Sequence, residues 1–228
     1  MKPHRIVIAG AGYAGVSCAL RLARRAPSNA AITLVSATDR FIERIRLHQR
    51  ATGQSVGDWS LRALIRGTGV DLHIANIDQL DYGNRVLKLG GDRLEFDTLV
   101  LALGSHVDVD SVKGVREHAM AVEFGTVSNI HRALQKAASH RGRVTIVGGG
   151  LTGIELASEI AESFPGLQVS LVTQTRVAES WSEAARIHAL ASLQRFGVRV
   201  EEGPHIKAVH AKHDRKSTRL NSSHPYRS

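Results

Sequence analysis

Three glycines near the start of the chain have the spacing of a phosphate-binding turn. Gly10, Gly12 and Gly15 follow the apolar run of residues 6–8 in a Gly-x-Gly-x-x-Gly pattern. The first glycine of this pattern allows a tight turn, the second lets a pyrophosphate approach, and the third lets a helix pack on its strand. The N–H groups at the helix start attract an anion, helped by a dipole worth roughly half a charge. Such turns also occur in sheets that bind nothing, so one copy leaves that alternative open.

A second copy of the pattern lies in the second half of the chain. Residues 143–163 align without a gap on residues 5–25. The alignment places a second glycine triplet on the first, namely Gly148, Gly150 and Gly153. The apolar segments after the two copies, residues 32–36 and 169–173, also correspond. Two complete βαβ openings predict two nucleotide sites in one chain.

The apolar patterns predict the elements that would position these glycines. Residues 6–8 predict a strand buried on both faces, and the helix after the first triplet carries Leu20 and Leu22. Residues 97–105, DTLVLALGS, predict another buried strand that ends at Gly104. Open α/β sheets bind ligands at strand ends of this kind.

The other patterns predict the connections between these elements. Residues 41–53, FIERIRLHQRATG, predict an amphipathic turn or short helix over a site, with a solvated basic helix as the alternative. Residues 112–124 predict a crossover loop, and residues 205–211, HIKAVHA, the first strand of a hairpin whose partner strand is absent. A small β-meander is predicted from three segments, residues 70–80, 84–89 and 92–96. Further helices are predicted over residues 59–69, 126–140 and 184–196, and a strand over residues 197–202.

Composition favours a cytoplasmic protein of one large or two small domains. The chain has 228 residues, 43% of them hydrophobic, and no apolar run long enough to span a bilayer. Lys2 and Arg5 before an apolar stretch superficially resemble a signal peptide, but the glycine spacing and the arginines that follow argue against one.

The net charge of +9 invites a nucleic-acid partner, yet the basic residues are spread along the chain and none is expected. Residues 214–228 have no periodicity, and their first part, DRKSTRLNSSH, resembles the translation of a sequencing-library adapter. We interpret them as a non-native tail, with a disordered basic tail as the alternative.

Four features together resemble the two-dinucleotide-binding-domain flavoproteins: the paired glycine patterns, the DTLVLALGS strand, the FIERIRLHQRATG segment and the GGGLTGIELA stretch. The nearest branch is that of the type II NADH:quinone dehydrogenases and the relatives of apoptosis-inducing factor. The resemblance covers nearly all of residues 4–211 and implies an α/β fold with two Rossmann-like domains, parallel sheets and a small meander. It implies an FAD-binding domain over residues 1–110 and an NAD(P)-binding domain over residues 111–213, both truncated.

The resemblance also implies roles for individual positions. Leu103 and Gly104 would contact FAD at the end of the linking strand, and Arg46 and His48 would lie beside the flavin ring. The first glycine turn would hold the FAD pyrophosphate through Gly10, Gly12, Tyr13, Ala14 and Gly15. The second would hold NAD(P)H through Gly148, Gly150, Leu151, Thr152 and Gly153.

Glu155 is the candidate catalytic residue, because the family places this position near the nicotinamide. A carboxylate directed at a pyrophosphate would be repelled, so Glu155 must face the reactive end of the nucleotide or solvent. The alternative is a carboxylate in the first helical turn that complements the helix dipole by roughly 0.3 to 1 kcal/mol. Both interpretations stay open.

Two positions depart from the usual dinucleotide pattern. Such folds place Asp or Glu after the second strand to bind the ribose hydroxyls, but Ser36 and Thr173 occupy these positions. Ser36 can donate one hydrogen bond, and Asp39 is a second candidate for the ribose. In the second half, the missing acid and the nearby Arg176 leave room for a 2′-phosphate, so NADH and NADPH are both candidates.

The cysteine content separates this chain from the disulfide reductases of the same superfamily. Those enzymes need a redox-active cysteine pair beside the flavin, whereas this chain has only Cys18. Cys18 aligns with Leu156 and is expected in the core. No metal site is predicted, because His210 and His213 have no carboxylate or cysteine at ligand spacing.

These residues predict an FAD-dependent NAD(P)H dehydrogenase that passes electrons to a quinone or similar small acceptor. A nucleotide-sensing or interaction flavoprotein is the rival interpretation, and a fragment without activity is a third. In the family, the region after the NAD(P) domain completes the FAD site and supplies the dimer or membrane surface. The resemblance therefore implies a homodimer and a peripheral contact with the inner face of the membrane for the full-length protein.

Overall fold

A computed structural model describes residues 2–211, so the predicted tail at residues 214–228 and His213 lie outside the described part. The strands are β1 (His4–Ala9), β2 (Ala30–Ser36), β3 (Arg40–Phe41), β4 (Trp59–Ser60), β5 (Val70–Ile74), β6 (Gln79–Asp81), β7 (Val86–Leu89), β8 (Asp92–Glu95), β9 (Thr98–Leu101), β10 (Arg143–Val147), β11 (Gln168–Thr173) and β12 (Arg199–Glu202). The helices are α1 (Tyr13–Arg25), α2 (Leu47–Ala51), α3 (Leu61–Leu64), α4 (Val115–His118), α5 (Val127–Ala138), α6 (Leu151–Ser163) and α7 (Glu183–Arg195). A 3₁₀ turn, Arg44–Arg46, leads into α2. The fold is α/β with parallel sheets, as the sequence predicted.

The first sheet consists of parallel strands in the order β5-β2-β1-β9. Successive side chains of a strand point to opposite faces, so β1 contributes to two separate cores. Ile8 belongs to a cluster with Val16 of α1, whereas Val7 belongs to a cluster with Leu87 of β7. Val7 and Ile8 are 1% and 0% exposed, which confirms the predicted strand buried on both faces.

The antiparallel meander β6-β7-β8 covers one face of this sheet. Its second and third strands are those predicted, but the prediction for residues 70–80 is wrong. That segment divides: Val70–Ile74 pairs in parallel with β2 as the outer strand of the first sheet, and only Gln79–Asp81 joins the meander. The crossover through α3 brings Val70 beside Ile32, so its apolar residues are buried in the larger sheet.

The second sheet repeats the start of the first with the order β10-β11-β12, all parallel. Its core joins buried residues of the sheet and of the helices around it, such as Ile160 of α6, Leu171 of β11 and Leu193 of α7. The gapless sequence repeat thus corresponds to a repeated strand, glycine turn, helix and strand.

The short helix α2 lies far from the second sheet in sequence but packs into its core. Leu47 and Ala51 are 4% and 0% exposed and share a cluster with Ile130 of α5 and Ile154 of α6. The predicted short helix is confirmed. One apolar residue of the predicted face is not buried, because Ile45 lies in the 3₁₀ turn with 68% exposure.

Three local predictions need correction. Residues 205–211 form no strand; the Val209 N–H donates to the Lys113 carbonyl at 2.8 Å, which ties this stretch to the crossover segment. That segment contains the short helix α4. In residues 59–69 only Leu61–Leu64 is α-helical, because the stretch opens with a strand and ends in turns at two glycines with positive φ. No helix among residues 2–211 is long and apolar enough to cross a membrane.

Candidate functional site

The first glycine turn joins β1 to α1 and tolerates no side chain at two of its three glycines. Gly10 has φ +106°, and a Cβ there would lie 2.3 Å from the carbonyl oxygen of Ala102. A Cβ on Gly15 would lie 1.8 Å from the Gly10 carbonyl oxygen. A Cβ on Gly12 would meet nothing within 4 Å, so Gly12 borders open space. The turn therefore needs its outer two glycines to fold and leaves a gap at the middle one.

The N-terminus of α1 faces this gap without a partner from its own side chains. No side chain caps the helix, and its first turn contains no acidic residue. Tyr13 and Ala14, the first two residues of the helix, are exposed. Uncapped N–H groups at the start of a 13-residue helix are a suitable site for an anion.

Side chains from the segment after β2 surround Tyr13. The ring of Phe41 lies edge-on to the Tyr13 ring, with centroids 5.0 Å apart. Partial burial and the nearby Glu43 carboxylate raise the pKa of the Tyr13 phenol, whereas the Arg46 guanidinium lowers it. The Arg46 Nη1 lies 3.8 Å from Glu43 Oε2, and its Nε donates to Gln49 at 2.7 Å. Glu43 and Gln49 therefore hold Arg46 close to Tyr13, the first helical residue after the first glycine turn.

The end of β9 approaches the same turn from the other side. Gly104 has φ +76°, and a Cβ there would lie 3.6 Å from Arg44 Nη1. Leu103, two residues after the end of β9, is an apolar residue with 54% of its surface exposed. The residues after β9 thus lie against the first glycine turn, and Arg44 approaches them at Gly104.

The second glycine turn repeats the first with one difference. A Cβ on Gly153 would lie 1.9 Å from the Gly148 carbonyl oxygen, and Gly150 borders open space. Gly148 has φ +114°, but a Cβ there would meet nothing within 4 Å. In the first turn the end of β9 occupies the corresponding space, whereas no described strand lies on that side of β10.

Helix α6 begins as α1 does. It has no side-chain cap and no acidic residue in its first turn, and its first two residues, Leu151 and Thr152, are exposed. Glu155 lies beyond the first turn of α6. The interpretation of Glu155 as a first-turn carboxylate that complements the helix dipole is therefore wrong. Its side chain is 36% exposed and faces α2.

The ends of the second strands carry no free carboxylate. The Ser36 Oγ accepts a long hydrogen bond from the Thr38 N–H at 3.4 Å. Thr173 is 6% exposed, and its side chain fills the space beside Gly149, where a Cβ would lie 2.9 Å away. Asp39, the second candidate for the ribose, is exposed.

The loop after β11 turns back toward the second glycine turn. The Ala178 N–H donates to the Gly149 carbonyl at 2.8 Å, and the Val177 N–H donates to Glu202 at 2.7 Å. The second bond, with the Arg186 guanidinium, lowers the pKa of Glu202. Arg176 is exposed on this loop, and its Nη2 lies 3.1 Å from Glu183 Oε2. A 2′-phosphate would therefore compete with Glu183 for Arg176.

His48 faces α6, the helix that follows the second glycine turn. Its ring is buried, with Nδ1 3.5 Å from Glu155 Oε2 and Nε2 4.0 Å from Glu159 Oε1. The structure therefore brings His48 together with Glu155, which the sequence gave no reason to pair.

The sequence prediction also missed Glu43 and Arg44. Oε2 of Glu43 is buried without a hydrogen-bond partner, and Arg44 reaches Gly104. A lone acid in a basic amphipathic stretch was the available signal for Glu43. Cys18 is half-buried against the first core, as predicted, and residues 2–211 contain no cluster of potential metal ligands.

The fold and these turns define an α/β protein with two Rossmann-type βαβ units, each opened by an uncapped helix behind a glycine turn. The sequence profile described as pyridine nucleotide-disulphide oxidoreductase matches residues 4–225. The chain belongs to this family.

Two curated relatives are similar over most of this chain. A demethylphylloquinone reductase of Synechocystis is 26% identical over 91% of the chain and 55% of its own length. A type II NADH:quinone oxidoreductase of Staphylococcus saprophyticus is 25% identical over 91% of the chain and 58% of its own length. The chain thus spans little more than half of these relatives.

A solved structure supports the fold independently. NDH2 from Plasmodium falciparum, determined in complex with NADH, superposes with a TM-score of 0.79 over 92% of this chain and 50% of its own. Its sequence is 18% identical, so this likeness concerns the fold.

Proposed function

We propose that the chain belongs to an FAD-dependent oxidoreductase that passes electrons from NAD(P)H to a quinone or similar small acceptor. The observation that carries this proposal is the pair of open glycine turns, each in front of an uncapped helix, within one chain. The names of the two curated relatives, both quinone-linked reductases, support the choice of acceptor.

FAD fits the first turn. The open space at Gly12 admits a pyrophosphate, and the backbone of Tyr13 and Ala14 offers N–H donors to it. Arg46 supplies positive charge beside Tyr13, and Leu103 and Gly104 follow β9 next to the same turn. Ser36 can offer a single hydroxyl to the ribose. Gly10 and Gly15 maintain the turn itself.

NAD(P)H fits the second turn in the same way. Gly150 leaves room for the pyrophosphate, Leu151 and Thr152 begin the helix that faces it, and Gly148 and Gly153 maintain the turn. Glu155 lies one turn further along α6, on the side that faces α2. We assign it to the reactive end of the nucleotide, as the resemblance implies for this position.

The bound cofactors would supply the hydride chemistry, and the protein would supply binding and orientation. Two helix N-termini would fix the two pyrophosphates, which limits how the rings can meet. Cys18 packs against the first core and is the one cysteine of the chain, so no thiol pair here relays electrons.

The choice between NADH and NADPH depends on Arg176. Thr173 offers no carboxylate to the ribose hydroxyls, which removes a repulsive charge from a 2′-phosphate. Because Glu183 holds Arg176, we propose that NADH and NADPH are both accepted. Peripheral attachment to the inner membrane face from the cytoplasm, and a homodimer, belong to the same proposal for the full-length protein and rest on the resemblance.

The test is a titration of the purified full-length protein with FAD, followed by anaerobic addition of NADH or NADPH. We expect FAD to bind, the visible flavin absorption to fall on addition of nucleotide, and a water-soluble quinone to restore it. A full-length protein that takes up no FAD would defeat the proposal. Tight nucleotide binding with negligible turnover would favour the sensing protein instead.

A further inference from the structure

A buried histidine joins two segments that carry different parts of the proposed sites. His48 is 8% exposed and lies in α2, directly after the 3₁₀ turn that holds Arg46 beside Tyr13. Both of its ring nitrogens face α6, toward Glu155 and Glu159. These two acids are four residues apart and so lie on the same helix face.

The two carboxylates are not held equally. The side-chain amide of Gln54 donates to Glu159, whose side chain is 18% exposed. Glu155 is 36% exposed, and His48 is the side chain for which the structure records a contact with its carboxylate. Loss of the ring would therefore release Glu155 toward solvent, whereas Glu159 would keep Gln54.

Helix α2, which carries His48, also directly follows the 3₁₀ turn near the first glycine turn. Leu47, the neighbour of His48, is buried in the second core, while the adjacent 3₁₀ turn reaches Tyr13 and Gly104 through Arg46 and Arg44. A buried imidazole needs polar partners, because an unpaired one loses hydration without compensation. Glu155 and Glu159 of α6 are the polar partners that the structure offers to the His48 ring.

We propose that His48 is a positioning residue, which holds the Glu155 carboxylate at the second site. The proposal rests on the proposed function, since it gives Glu155 its role at the nucleotide.

The test compares variants of the full chain in the rate of flavin reduction by NADH, measured by anaerobic stopped flow. His48→Leu places an apolar side chain of similar size in the buried position but removes both polar contacts. We expect flavin reduction by NADH to be about tenfold slower in this variant. FAD affinity should stay within about twofold, because the first glycine turn is untouched. His48→Gln, which retains one polar contact, should recover part of the rate.

A double variant separates positioning from a merely structural effect. If His48 acts through Glu155, His48→Leu combined with Glu155→Gln should be no slower than the slower single variant. Multiplied effects would overturn the proposal. His73→Leu is the matched control, because His73 also lies near a carboxylate, 3.8 Å from Asp92, but on the meander side. In this control variant, NADH should reduce the flavin at the wild-type rate.

A second readout needs no turnover. Imidazole ¹H–¹⁵N correlations of the flavin-free chain should show the His48 signals moving on addition of NADH, and moving less in Glu155→Gln. If His48→Leu fails to fold, Glu159→Gln tests the same cluster. Unchanged His48 ring signals in that variant, together with an unchanged rate of flavin reduction, would overturn the proposal. A wild-type chain that is not reduced by NADH would defeat the proposed function, whereas wild-type rates in all His48 variants would defeat only this inference.

Discussion

Gly10 and Gly148 have the same left-handed backbone but different surroundings. Their φ values are +106° and +114°, which disfavour any residue with a Cβ. At Gly10 space also excludes a side chain, because the Ala102 carbonyl lies against it, while Gly148 borders open space. The two repeats thus share the conformation of the glycine turn but differ in the residues that pack against it.

Gly12 and Gly150 allow the two nucleotide assignments to be tested separately. Both begin their helices and border open space, so a methyl group fits the protein but occupies the position assigned to a pyrophosphate. Gly12→Ala should raise the dissociation constant of FAD by about tenfold or more. It should cost no more than about 1 kcal/mol in stability, as expected at a helix N-cap. Fluorescence titration and urea unfolding measure the two effects.

The matched control is Gly150→Ala, which should leave FAD binding unchanged and weaken NADH binding instead. If both variants lost the same nucleotide, or neither lost any, the assignment of one nucleotide to each turn would be wrong.

The glycine turns were predictable at this scale because their requirement is local: three backbone positions within six residues. The cluster around His48 was not, because its members come from distant parts of the chain. Gln54 and Glu159, for example, are 105 positions apart. Arg44 was missed for the same reason, since only the folded sheet brings Gly104 next to it.

At the scale of elements, α2 is the connection on which the relation of the two halves depends. It belongs in sequence to the first half, yet its buried residues complete the core of the second. Amphipathic spacing predicted a short helix there, but spacing does not say which core a helix joins. Which core α2 joins depends on its contacts with buried residues of α5 and α6.

Leu47 and Ile45 form a matched pair for testing this packing. Leu47 is 4% exposed and Ile45 is 68% exposed, although they are two residues apart. Leu47→Ala should lower the free energy of unfolding by about 2 to 5 kcal/mol, because it leaves a cavity in the second core. Ile45→Ala should change it by less than about 0.5 kcal/mol. Similar losses in urea unfolding would contradict the packing of α2.

An ion pair joins the start of β1 to the residue before β9. Arg5 donates to Asp97 from its side chain at 3.0 and 3.1 Å and from its backbone N–H at 2.8 Å. These hydrogen bonds hold the pKa of Asp97 well below its usual range. The unfolded carboxyl takes up a proton near pH 4, so the stabilisation is present above that pH and is lost as the pH falls below it.

Asp97→Asn should therefore lower the urea midpoint at pH 7, and its difference from the wild type should shrink toward pH 3. Added salt should also reduce the difference, because the pair is partly exposed. Asp71→Asn, at an exposed position on β5, is the control and should show no such trend. A constant difference across this pH range would exclude the ion pair as its cause.

At the scale of the whole molecule, the two sheets end in unlike edges. The outer strand β12 carries Arg199, Glu201 and Glu202, and charges of this kind oppose pairing with another chain. The outer strand β9, by contrast, has no charged residue, and β10 has none after Arg143. The sequence predicted an unpaired strand at residues 205–211, but the unpaired strands with few charges are β9 and β10.

The uncharged edge of β10 should make this chain associate with itself as its concentration rises. Its exposed residues, Thr145 and Val147, leave backbone groups on the outer side open to a strand from another molecule. Thr145→Lys introduces a charge there and should raise the concentration needed for association by about tenfold, as followed by sedimentation velocity. Glu201→Lys, on an edge that is already charged, should leave association unchanged. A wild-type chain that stays monomeric at every concentration would contradict this prediction.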